Sequence, residues 1–289
     1  LMILNGIIYL RIIYFFVLLD GKKRIFEITK SFLSNKIFIL IVILYFILFF
    51  VTGSRGEILS VILVTAFAYS IFVKPLSFKF IIASVLIGSF VFTIMGMGRG
   101  RVATELGDQT LLQRGYASYI ENSDKKLPTE ELASSVRIQY RAIDAIPNTH
   151  PYLYGVPYFI TLISPIPFSS KLVIETFDIP YQYQVTSRLF TYLGQGNNIT
   201  YGEGSEILAD IYANFDLAGV FIIMLFFGSF AGIVTKKTKQ GSFNYMLVYM
   251  VLLITALSMN RGTIFYAYKD IFYILFFHLL FSGRLRWKK

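Results

Sequence analysis

Seven stretches of this chain are apolar for about the length that a helix needs to cross a bilayer, and this feature constrains its fold more than any other. They run over about 1–19, 33–51, 58–73, 80–97, 217–234, 244–260 and 264–282. A membrane-spanning helix takes roughly 20 predominantly apolar residues. Only 15% of the residues are charged and 55% are hydrophobic, where a soluble domain carries about 25% charged residues. The expected fold is therefore an all-α polytopic integral membrane protein with about seven transmembrane helices. The first block is too long for the apolar core of a signal peptide, and no small-residue cleavage site follows it. It reads as a true span. With no cysteine, disulfides and thiolate metal sites are excluded.

Lysine and arginine set the orientation. The short connections carrying Lys22, Lys23, Arg24, Lys30 and Lys36, then Lys74 and Lys79, then Lys236, Lys237 and Lys239, and finally the tail with Arg284, Arg286, Lys288 and Lys289, alternate as the positive-inside rule requires. All four are assigned to the cytoplasm. The other face receives the 52–57 turn, the long 98–216 segment and the 260–263 turn. Those parts hold 11 basic and 14 acidic residues. The formal charge of +10 is thus topological and does not signal nucleic-acid binding. Three regions follow: four spans over 1–97, an extracytoplasmic loop domain over 98–216, and three spans with a basic tail over 217–289. Within the loop, 104–123 is polar and expected to be mobile. Residues 132–147 show an amphipathic helix pattern with apolar Val136, Ile138, Ala142, Ile143 and Ile146. Residues 151–174 are apolar but broken by Pro157, Pro165 and Pro167, a pattern that fits either re-entry into the membrane or a position on its surface. Ser205–Phe215 reads as a short helix with Ser205 as N-cap.

Arginines gather on the outer face. Arg55 sits in TGSRG at the end of the second span, Arg99 and Arg101 in GRGR at the end of the fourth, and Arg261 in NRGT at the end of the sixth. Each has a glycine beside it, which lets backbone approach a ligand closely. Guanidinium stays charged and grips phosphate through two parallel hydrogen bonds, so the set suits a lipid-linked pyrophosphate. Any one of these arginines alone is explained as well by snorkelling to lipid headgroups. Glu206, Asp210 and Asn214 share one helix face at i, i+4 spacing. A carboxylate there suits general-base work on a sugar hydroxyl, while the plainer reading is a solvated face near a helix N-terminus. His150, in NTHP, can carry protons near neutral pH. His278 is expected to pack against a neighbouring helix. No Asp-x-Asp pair, HExxH or phosphate-binding glycine loop occurs, so neither metal nor cofactor is expected, and arginine would have to stabilise a departing pyrophosphate.

With these elements the chain resembles the Wzy-type polymerases of O-antigen and capsular polysaccharide. The resemblance lies in TGSRGE (52–57), RIQYRAIDAIP…HPYLYGVPYFITLISPIP (137–167), GSEILADIYANFDLAGV (204–220) and NRGTIFY (260–266), and it covers roughly residues 40–275. It implies a fold related to the GT-C membrane glycosyltransferases. It also implies transfer of a growing glycan from undecaprenyl pyrophosphate to the hydroxyl of a new lipid-linked repeat unit, in a bacterial cytoplasmic membrane. Membrane lipids and a chain-length regulator are the expected partners. The family pattern maps functional arginines onto Arg55, Arg137, Arg141 and Arg261, with Arg101 as a further pyrophosphate contact, and a matched acid onto Glu206. Glu206 and His150 are the candidate catalytic groups. The family's extra spans before the SRG turn imply an N-terminal portion preceding Leu1. Where the pattern has Asn-Phe-Gly, this chain has Asn214-Phe215-Asp216, which puts close glycine packing there in question. The competing readings are an O-antigen ligase using the same donor, a transporter of lipid-linked sugars, and a non-enzymatic regulator of chain length.

Overall fold

The computed structural model describes residues 2–18, 35–52, 54–97, 110–121 and 130–282, and every regular element among them is helical. Helices lie over all seven apolar stretches: α1 (Met2–Leu18), α2 (Lys36–Thr52), α3 (Arg55–Phe72), α4 (Phe78–Met97), α10 (Ile207–Lys239), α11 (Phe243–Met259) and α12 (Tyr268–Ser282). Three of them are long and apolar enough to cross a membrane: α3, α4 over Phe78–Met95, and α10. Met2–Leu18, Lys36–Thr52 and Phe243–Ala256 are apolar but shorter. The chain is a helical membrane protein. The basic residues from Lys22 to Lys30 and those of the tail lie outside the described residues.

Two compact units divide the chain, residues 8–130 and residues 1–7 with 131–289. In the first, α2 buries Phe38, Tyr45 and Phe49, and α3 buries Ile58, Val61, Val64 and Ala68. These spacings of three, four and seven residues keep one stripe of each helix facing inward. Residues 111–121 correct the expectation of a mobile polar stretch. They form a helix, α5 (Leu111–Glu121). Its glycine at 115 lets it lie directly on α4: a Cβ there would collide with the Ile94 carbonyl. The rings of Phe90 and Tyr119 meet edge to face at 6.1 Å, a favoured aromatic geometry.

In the second unit the long loop builds a hydrophobic core of its own. The amphipathic pattern over 132–147 folds as α6 (Glu130–Ala145). Of its expected apolar face, Ile138, Ala142 and Ile146 are buried, while Val136 and Ile143 are exposed. Leu153, then Leu189 and Phe190 from α9 (Thr186–Gln195), then Ala209 and Ala213 from α10, complete this core. The proline-broken stretch becomes two short helices, α7 (Val156–Ile163) and α8 (Ser169–Thr176). Pro157 lies in the first turn of α7, where no intrahelical N–H is lost. Pro165 and Pro167 occupy the turn between them. As expected, His278 packs on a neighbouring helix, its ring 4.9 Å from that of Phe243 on α11.

Helix α10 joins this core to the membrane through a kink. Phe215 (φ −142°, ψ 18°) and Asp216 (φ 61°, ψ −174°) leave helical geometry, so two turns of helix end at Asn214 and the apolar run resumes at Leu217. Phe215 packs between two glycines. A Cβ at Gly155 would come within 2.8 Å of the Phe215 ring, and one at Gly219 would overlap its Cβ. Close glycine packing is therefore present around Phe215, supplied by neighbours rather than by residue 216. The backbone at Asp216 lies where glycine is strongly favoured, and non-glycine residues there carry about 1–3 kcal/mol of strain. Asp216→Gly relieves that strain and gives back about 0.5–1 kcal/mol through the freer unfolded chain. A rise of a few degrees in the thermal midpoint in detergent is the expected result, and a fall would show that the Asp216 carboxylate, which hydrogen bonds with Tyr152, outweighs the strain.

Candidate functional site

The site is organised by four residues, Glu203–Glu206, immediately before α10. At their N-terminal end Glu203 holds Arg141. The Arg141 Nη1 donates to Glu203 Oε2 at 2.6 Å and to the Phe190 carbonyl at 3.2 Å. The Glu203 N–H donates to Thr191 Oγ1 at 3.1 Å, and Gln195 Nε2 donates to the Tyr201 carbonyl at 2.8 Å. Arg141 is partly covered and the Glu203 side chain is buried, so each charge depends on the other. Gly194 makes this approach possible: a Cβ there would collide with both Arg141 Nη1 and Glu203 Oε1. Gly194→Ala makes both side-chain ends shift, and since each belongs to a flexible side chain a cost of about 1 kcal/mol is expected. The thermal midpoint in detergent checks it, and an unchanged value would show that the pair shifts freely.

The next residue of the segment approaches the backbone of the Arg261 turn. A Cβ at Gly204, whose φ is 80° or more at 85°, would lie 3.9 Å from the Arg261 carbonyl oxygen. The Arg141 side chain and the Arg261 backbone thus meet adjoining residues, 203 and 204. Arg137 lies one turn before Arg141 on α6 and is exposed, as is Arg261. Arg55 opens α3 in the other unit, where the Ser54 hydroxyl donates to Glu57 Oε2 at 2.6 Å. Arg101 lies outside the described residues, together with Arg99.

Glu206, and not Ser205, caps α10. Its Oε2 accepts from the Leu208 and Ala209 N–H groups at 2.9 and 2.8 Å. The longer side chain of glutamate reaches N–H groups that a serine one residue earlier does not, and an anion is favoured at a helix N-terminus. The Oε1 stays outside this cap. The Ser205 hydroxyl is buried without a hydrogen-bond partner.

The face carrying Glu206, Asp210 and Asn214 is not solvated. All three are buried, which overturns the plain reading of a polar outer face. Asn214 Oδ1 accepts from the Gly155 N–H at 3.1 Å, and its Nδ2 donates to the Asp210 carbonyl at 2.8 Å. Asp210 is fully enclosed. Tyr158 of α7 donates to its Oδ2 at 2.8 Å, Thr186 of α9 donates to its Oδ1, and the Ile264 N–H supplies a third bond. One carboxylate thereby ties α7, α9, α10 and the turn that bears Arg261. Burial pushes its pKa up to about 7, against the lowering effect of these hydrogen bonds. Asp210 stands outside the membrane run, on the short helical part before the kink.

His150 is half-buried at the rim of the loop core. Its Nδ1 lies 3.5 Å from the Tyr183 hydroxyl and its ring stands edge-on to Tyr192 at 5.8 Å. The first contact is too long to hold the imidazole firmly. No family model, curated protein or solved structure matches this chain. What the chain does must therefore be argued from the arrangement itself.

Sequence reasoning singled out Arg137, Arg141, Arg261 and Glu206, and the structure brings Arg141, Glu206 and the Arg261 turn to one four-residue segment. It missed Glu203, Tyr158 and Thr186, and it placed Asp210 on a face without giving it a role. The available signal was the GEGSE run itself: a carboxylate at each end of a glycine–serine pair, preceding an apolar helix. Nothing in sequence identifies Tyr158 or Thr186, which reach Asp210 from 52 and 24 residues away.

Proposed function

We propose that this chain is a membrane glycosyltransferase of the polysaccharide-polymerase type, moving a growing glycan from undecaprenyl pyrophosphate onto the hydroxyl of a new lipid-linked repeat unit. The observation that carries this reading is the Glu203–Glu206 segment. It holds the Arg141 side chain at Glu203 and approaches the backbone of the Arg261 turn at Gly204, just before a helix long enough to cross a membrane. The exposed guanidinium groups of Arg137 and Arg261 grip the diphosphate. Arg141, fixed by Glu203, contributes positive charge behind them. The proton of the attacking hydroxyl goes to His150, whose ring is loosely held, or to the free oxygen of Glu206. Charge developing on the departing pyrophosphate is met by arginine at the edge of a low-dielectric layer, where such interactions are strong. In this proposal seven helices span a bacterial inner membrane and the loop lies on its non-cytoplasmic side, where lipid-linked repeats are displayed.

Purified protein in vesicles, supplied with lipid-linked repeat units, tests the reading. A ladder of lengthening lipid-linked glycan is expected. Repeats that remain single contradict polymerisation, and transfer only to a non-repeat acceptor would point to a ligase.

A further inference from the structure

We propose that α7, α8 and the turn joining them form a wedge seated in the bilayer leaflet on the side of the loop, with acyl chains as its partner. The inference rests on reading α12 as a membrane-crossing helix and is independent of any catalytic activity.

Two tyrosines of α12 fix the depth. The Tyr268 hydroxyl donates to the Leu162 carbonyl at 3.0 Å, and the Tyr273 hydroxyl donates to the Pro165 carbonyl at 2.9 Å. Tyr268 is the first residue of α12. Tyr273 lies five residues further on, about 7–8 Å along the axis at 1.5 Å per residue. The chain therefore descends beside α12 from Leu162 to Pro165. The start of α7 is held at the same level as the mouth of the α10 membrane run, because Gly155 packs on Phe215.

The surface of this segment has the character that such a position requires. On α7 the inward residues are Pro157, Tyr158 and Ile160, while Val156, Phe159 and Leu162 face outward. A loop helix in water would carry polar residues on that outer stripe. Helix α8 buries none of its residues, yet Phe168 is 84%, Leu172 66% and Phe177 71% exposed around it. A contiguous apolar surface of this kind needs a partner. Phe276, Leu279 and Leu280, further along α12, are also exposed, and in this reading they face lipid as well. Lys171 and Glu175, paired at 3.6 Å and well exposed, lie on α8 among the apolar residues, as a helix at a membrane–water boundary carries them.

The chain lacks native cysteine, so single cysteines report position cleanly. Residues 168 and 172 are to be labelled with an environment-sensitive fluorophore, in protein reconstituted into vesicles of defined phospholipid containing no polyprenyl lipid. Phe226 of α10 and Asn198 of the loop, both exposed, serve as lipid and water references. Labels at 168 and 172 are expected to be quenched by bromine on the acyl chains as strongly as that at 226. Water-borne iodide should reach them several-fold less than it reaches 198. Iodide access equal to that at 198 would overturn the proposal. So would protection from both quenchers, which indicates cover by protein, and so would protection that arises only on adding a polyprenyl phosphate, which indicates a substrate groove.

Discussion

Asp210→Ala is expected to be the most damaging single substitution in the extramembrane part of this protein. It removes the acceptor shared by Tyr158, Thr186 and the Ile264 N–H, in a place that water does not reach. An orphaned buried donor costs about 1–3 kcal/mol, and the hydroxyls can re-aim while the backbone N–H cannot. A loss of about 3–5 kcal/mol follows. The variant should show a strongly lowered thermal midpoint in detergent, with loss of order in the turn that presents Arg261. Asp210→Asn keeps an acceptor of the same size and should cost far less. The two variants also separate by pH. The folded pKa of Asp210 is raised to about 7 by burial, above the unfolded value of about 3.9. The native state thus binds the proton more tightly than the unfolded chain does. The stabilisation from this group is fully present below about pH 4 and is lost as pH rises through 7, by roughly 4 kcal/mol over the whole range. Wild-type protein is expected to lose stability between pH 4 and pH 7, and Asp210→Asn to flatten that part of the curve. A wild-type profile already flat between those values would show that the three hydrogen bonds hold the carboxylate ionised.

The second large effect is on chemistry rather than stability. Arg137→Ala removes an exposed side chain and is not expected to move the thermal midpoint by more than about 0.5 kcal/mol equivalent, and Arg261→Ala is compared with wild type at equal folded fraction. Each should lower polymer formation by about 10²–10³, the scale for losing one group that stabilises developing negative charge. Lysine at either position keeps the charge but not the two-pronged geometry, and should recover only part of the rate. Arg141 differs from both. Its guanidinium is tied to Glu203 and the Phe190 carbonyl, so Arg141→Ala is expected to lower stability and activity together. Full activity in Arg261→Ala would remove that residue from the proposed clamp and leave the turn with a structural role alone.

How much of this was legible in sequence depends on whether the physics was local. Apolar length is local, and helices lie over every stretch that it marked. Amphipathic spacing placed α6 and buried Ile138, Ala142 and Ile146, because one face of that helix meets the loop core. The same rule mis-sorted α10. There the polar residues Glu206, Asp210 and Asn214 point inward, since partners from α7, α9 and the 260–264 turn satisfy them, and no periodicity reports partners far away in sequence. The cap fell on Glu206 instead of Ser205 because side-chain reach and the path of the preceding backbone decide it. Asp216 is the instructive case. Comparison with the Wzy pattern flagged a missing glycine, and the backbone at that residue adopts the conformation that glycine favours, although the packing around Phe215 is supplied by Gly155 and Gly219.

The account stands on arginines of the loop and of the 260–263 turn gripping a lipid diphosphate. The most direct test is equilibrium binding of undecaprenyl pyrophosphate to purified wild-type protein and to Arg137→Ala and Arg261→Ala in nanodiscs, without any acceptor sugar. The account predicts that each variant binds at least tenfold more weakly, about 1.4 kcal/mol, and that added salt weakens the wild type more than either variant. Equal affinity in all three, with the same salt response, would contradict it.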